Sequence, residues 1–122
     1  MTTQGKFLVS LLFFICSLTV NGQDNNLKIA DKYFNKSDFE KAATYYKKVN
    51  KQGSIKLSLY YDSYVTSLKR LGDYQTLKTV LEKLKKKNPE NITISVDLVL
   101  NYKDLQEDRQ YKKLLSELIR EN

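Results

Sequence analysis

The chain reads as an all-α protein, a right-handed stack of about three antiparallel helix pairs forming an α-solenoid of about six helices behind an N-terminal export signal. Three observations predict this. With one Pro and four Gly among 122 residues, and abundant Leu, Lys, Tyr and Glu, few positions force the backbone out of a helix. Apolar residues recur at helical rather than alternating spacing. Finally, the chain repeats: SDFEKAATYYKKV from Ser37, GDYQTLKTVLEKL from Gly72 and EDRQYKKLLSELI from Glu107 align, with Asp38, Asp73 and Asp108 each 35 residues apart. A repeat of about 34 residues, two helices around a tight turn, marks a tandem array of helix pairs.

The first element is the signal. Lys6 precedes Phe7–Val20, a 14-residue run without charge, followed by the turn-forming Asn21-Gly22-Gln23-Asp24. Val20 and Gly22 stand three and one residues before a cut between Gly22 and Gln23, so residues 1–22 are expected to be removed and 23–122 to form the helical domain. Fourteen residues rise about 21 Å as a helix, short of the ~30 Å hydrocarbon core of a bilayer, which argues against a membrane anchor. Cys16 lies in this run, so the mature chain has no thiol.

Each later element follows from its apolar spacing. The first pair, about 25–52, carries Ile29, Ala30, Tyr33 and Phe34 on one helix and Phe39, Ala42, Ala43, Tyr46 and Val49 on the next. Ser37-Asp38-Phe39-Glu40 between them reads as a capping box. The second pair, about 54–88, follows Gly53-Ser54, read as a C-cap and then an N-cap. Its helices carry Leu57, Tyr60, Tyr61, Tyr64, Val65 and Leu68, then Tyr74, Leu77, Val80, Leu81 and Leu84. The third, about 89–121, opens with Pro89 at a first helical position. It carries Val96, Leu98, Val99, Tyr102 and Leu105, then Tyr111, Leu114, Leu115 and Leu118.

These residues resemble the tetratricopeptide repeat (TPR) family from about Leu27 to Ile119, the middle repeat most closely. There Tyr61, Tyr64 and Leu68 occupy the large apolar sites of the family's first helix, Gly72-Asp73-Tyr74 the turn, Leu81 and Leu84 the second helix, and Pro89 the closing proline. Val65 and Leu77 stand where the family prefers small residues, which implies a wider pair. The first repeat keeps those small residues as Ala30 and Ala42, whereas the third matches by spacing more than identity. The chain is also similar to the N-terminal repeat module of bacterial envelope proteins, whose peptidoglycan-binding domains it lacks.

The resemblance implies a concave face, lined by the first helix of each pair, that binds a peptide or protein. By alignment that face carries Leu27, Asp31, Phe34, Asp62, Thr66, Lys69, Val96, Leu100 and Lys103. The Lys and Asn arrangement with which some relatives clamp a C-terminal carboxylate is absent, since Asp31 and Asp62 lie in that region. A second feature is basic: Lys47, Lys48 and Lys51, then Lys83, Lys85, Lys86 and Lys87, then Arg120 cluster at the ends of the second helices. Cations there also interact favourably with the helix dipole at ~0.3–1 kcal/mol each, so they need no ligand to explain them.

Chemistry is narrowed by what the sequence lacks. It has no His, and without Cys16 there are no disulfides, thiolate nucleophiles, imidazole bases or Cys/His zinc sites. No motif calls for a cofactor, a metal or catalysis. The net charge of +7 falls to +6 when Lys6 is removed with the signal. In an exported chain this suits acidic partners or peripheral contact with an anionic membrane surface rather than nucleic acid. The expectation is a non-catalytic adaptor or assembly scaffold in the periplasm or cell envelope, or secreted. The alternatives are a structural subunit or N-terminal module of a larger envelope complex, or a basic surface-docking protein. The array reads as uncapped after its third pair, which implies self-association there.

Overall fold

The computed structural model describes residues 25–122, and the expected export signal, with its expected cut between Gly22 and Gln23, lies outside the described residues. Among the described residues six α-helices follow one another: α1 (25–35), α2 (Phe39–Gln52), α3 (Tyr61–Leu71), α4 (Tyr74–Lys87), α5 (Ile92–Asp104) and α6 (Asp108–Glu121). A 3₁₀ turn, Leu57–Leu59, precedes α3, and no strand occurs among the described residues. The chain divides into two compact units within α3, after Ser67.

The repeat is visible in the backbone as one turn made three times. Ser37, Gly72 and Gln106 hold positive φ of 60°, 69° and 58°. The amide of each donates to the carbonyl three residues back: Ser37 to Phe34 at 2.9 Å, Gly72 to Lys69 at 3.0 Å and Gln106 to Lys103 at 3.0 Å. The following amide reaches five back: Asp38 to Tyr33 at 2.9 Å, Asp73 to Leu68 at 3.0 Å and Glu107 to Tyr102 at 2.9 Å. This is the Schellman pattern, which satisfies the last carbonyls of α1, α3 and α5 and aims the chain straight into the next helix. The turn residues are 35 and then 34 positions apart.

That spacing corrects the alignment. The N-cap residues are Asp38, Asp73 and Glu107, so Glu107 rather than Asp108 is the equivalent of Asp73, and Asp108 opens α6. Asp38 accepts from the Lys41 amide at 3.3 Å and Asp73 from the Thr76 amide at 3.2 Å. Glu107 makes no such bond; its carboxylate takes the Lys78 ammonium at 2.7 Å instead. A Glu side chain is one methylene longer than Asp and bonds its own N3 amide less readily.

Three other boundaries differ from the reading of the sequence. Ser37 holds the left-handed turn and so cannot cap α2, which leaves the Ser37–Glu40 capping box unformed. Gly53 does terminate α2, with φ 70° and its amide on the Val49 carbonyl at 3.4 Å, but Ser54 starts no helix. The helix expected from Ser54 begins at Tyr61, after the 3₁₀ turn that takes Leu57. Pro89 lies in the turn before α5, whose N-cap is Asn91, accepting from the Ile94 amide at 3.2 Å.

In the first unit, Ala30, Ala42, Ala43, Tyr46, Val49, Tyr60, Tyr61, Tyr64 and Val65 are buried. Aromatic rings fill this core. Tyr46 lies 6.1 Å from Tyr64 and meets Phe34 edge-on at 6.5 Å, and Phe34 meets Phe39 edge-on at 5.8 Å. Small Ala30 and Ala42 leave room for those rings, which contribute ~0.5–1.5 kcal/mol per pair beyond their burial. The second unit buries an aliphatic set: Leu68, Leu77, Val80, Leu81, Leu84, Ile94, Leu98, Val99 and Leu114, with Tyr102. Here α5 packs against both α4 and α6. Polar bonds fix the register, as Asn101 Nδ2 donates to the Tyr74 carbonyl at 3.0 Å and the Tyr102 hydroxyl to Glu82 at 3.2 Å.

Candidate binding surface

Helix α5 has two opposite characters. Ile94, Leu98, Val99 and Tyr102 are buried, yet Ile92, Val96 and Leu100 remain 54, 42 and 45% exposed. Those three are spaced four residues apart, so they form one stripe along the helix, and Lys103 continues it as an exposed cation. Lys69 borders it, its ammonium 3.8 Å from the carboxylate of Asp97, the neighbour of Val96. The second unit thus brings together Lys69, Val96, Leu100 and Lys103 and adds Ile92, absent from the sequence reading. Starting α5 at Pro89 hid Ile92; the Ile92-Val96-Leu100 spacing was the signal that could have found it.

The first unit treats its share differently. Asp31 is half-buried and accepts the Tyr46 hydroxyl at 2.5 Å. Burial first, and this carboxylate second, push the Tyr46 hydroxyl pKa well above the usual tyrosine value. Phe34 is half-buried between Phe39 and Tyr46. Both side chains are engaged in the unit's own packing, because Phe34 lies in the last turn of α1, where the Schellman turn brings α2 alongside. Leu27 and Thr66 are half-buried and Asp62 is exposed, with Asp62 and Thr66 four residues apart on α3.

Among the basic residues, Lys83, Lys86 and Lys87 are exposed in the last turns of α4, while Lys85 donates to Ser95 at 2.9 Å. Lys47, Lys51 and Arg120 are exposed, and Lys48 sits 4.5 Å above the Tyr45 ring as a cation–π contact. A cavity of about 420 Å³ lies between α4, α5 and α6, floored by Leu98, Tyr102 and Leu114 and rimmed by Lys86, Lys113 and Glu117. Its floor residues are nearly fully buried, so they offer a ligand little apolar area. Burial, followed by the charge of Glu82, pushes the Tyr102 hydroxyl up to about 12.

Among the described residues no three His, Cys, Asp or Glu side chains converge as they would around a metal ion, and no helix is long and apolar enough to cross a membrane. Compared with family models, with curated proteins and with solved structures, the chain matches none.

Proposed function

We propose that this chain is an exported, non-catalytic protein-interaction module of the periplasm or cell envelope, an adaptor or assembly scaffold. The observation that carries the reading is the stripe of Ile92, Val96 and Leu100, left exposed on a helix whose other side is fully packed. Apolar side chains aligned at i, i+4 and i+8 suit the apolar face of a peptide or helix laid along them. Lys103, exposed at the end of the stripe, favours a partner with an acidic flank. Export is supported by Lys6, the uncharged run Phe7–Val20 and the small residues before Gln23. The TPR resemblance supports the same face, now narrowed to the second unit's residues, since Asp31 and Phe34 are taken up internally.

The test is capture of partners from the host's envelope extract by the chain and by its Val96→Ser/Leu100→Ser variant, over a series of salt concentrations. Both positions are exposed, so the variant keeps its fold. The expected result is a partner that survives rising salt and is lost with the variant. Contacts made only through Lys83, Lys86 and Lys87 are stripped first by salt and are indifferent to the variant. That outcome would favour the charge-driven alternative.

A further inference from the structure

The three equivalent turns superimpose α6 on α4 with a step of 34, and α5 on α1 with a step of 69. On α4, Leu77, Leu81 and Leu84 are 0, 0 and 6% exposed. Their counterparts on α6, Tyr111, Leu115 and Leu118, are only half-buried, and beside them Ile119 is 71% exposed. Helix α4 has α5 laid against it, and α6 also packs against α5. The converse holds on α1. Leu98 and Tyr102 of α5 are buried, but their α1 counterparts Ile29 and Tyr33 are half-buried. The chain therefore carries both halves of a junction that it completes between α4 and α5, as it does between α2 and α3, where Tyr46 meets Tyr64.

We infer that α6 of one copy receives α1 of a second copy in the way α4 receives α5. The polar positions agree with this docking. Where Asn101 Nδ2 meets the Tyr74 backbone carbonyl between α5 and α4, the corresponding residues are Lys32 on α1, again a donor, and Asp108 on α6, whose carbonyl takes the place of Tyr74's and whose side chain adds the opposite charge; both are exposed. Where the Tyr102 hydroxyl meets Glu82, the counterparts are Tyr33 and Ser116, again a donor and an acceptor. The partner is thus a second copy of this chain, joined head to tail. Such a heterologous contact leaves one complementary surface free at each end of an oligomer until a ring closes. It uses faces other than the Ile92-Val96-Leu100 stripe and stands or falls independently of the binding role proposed above.

Sedimentation velocity of the purified full chain over a concentration series tests this. The unaltered chain forms oligomers that grow with concentration. Ile119→Glu, Lys32→Glu and Asp108→Lys each weaken association at least about tenfold, while circular dichroism shows unchanged helix at these exposed sites. Lys32→Glu and Asp108→Lys in the same chain restore it. Mixing the Lys32→Glu chain with the Asp108→Lys chain restores association as well, because opposite charges then meet at both junctions between unlike chains, although neither chain associates alone. A chain that is monomeric at every concentration overturns the inference. So does association that is indifferent to Ile119→Glu, or that the charge exchange fails to restore.

Discussion

The three equivalent turns place a glycine at only one of their left-handed positions, and this sets up a substitution series with opposite signs. Gly72 has φ 69°, and a Cβ added there meets nothing within 4 Å, so Gly72→Ala is opposed by backbone conformation alone. An L-residue in the left-handed region costs about 1–2 kcal/mol, offset in part by the ~0.5–1 kcal/mol of extra chain entropy that glycine loses on folding. The net loss is about 1 kcal/mol, or a fall of roughly 4–8 °C in melting temperature for a domain of this size. Ser37 and Gln106 hold the same conformation with φ 60° and 58°. Ser37→Gly and Gln106→Gly should therefore raise stability by about 0.5–1 kcal/mol each. Urea unfolding followed by circular dichroism reads both signs. A neutral Gly72→Ala, or a destabilising Gln106→Gly, would refute the equivalence of the turns on which the 35- and 34-residue steps rest.

Two further substitutions test the second unit. Leu81 is completely buried, so Leu81→Ala should lower stability by about 2–5 kcal/mol in the same urea assay; a loss under 1 kcal/mol would mean that α4 is not packed as described. Tyr102 titrates near 12 when folded and near 10 when unfolded, so the folded state holds its proton longer. Its contribution is complete below pH 10 and is lost as pH rises toward 12, on the order of 2 kcal/mol. Stability measured between pH 9 and 12 should fall less steeply in Tyr102→Phe; an identical slope would show that burial and Glu82 do not act on this hydroxyl.

The fold class was legible because it rests on periodicity. Every apolar position assigned to α2 and α4 lies inward or at the edge of the core, and none of the nine Tyr is exposed. Boundaries were harder to read because capping is a competition between neighbours. Ser37 and Asp38 are both good N-cap residues, and the geometry of the preceding turn gives the role to Asp38. Likewise, Asn91 captures the start of α5 ahead of Pro89. The third repeat misled by one residue because Asp108 copies Asp73 in type, while the backbone bond pattern selects Glu107. On the candidate surface, alignment gives which face a residue occupies but not what its side chain finds there. Nothing local to Asp31 announces the Tyr46 hydroxyl fifteen residues away, and Phe34 is claimed by rings that fold back over it.

The central claim, that the exposed stripe of α5 is where a partner docks, is tested most directly by a photo-reactive amino acid introduced singly at positions 92, 96 and 100 of the chain in its own host, with position 83 as the control. The account predicts discrete adducts from 96 and 100, each with the same protein other than a second copy, and none from 83. Adducts from 83 with none from the three stripe positions would contradict it.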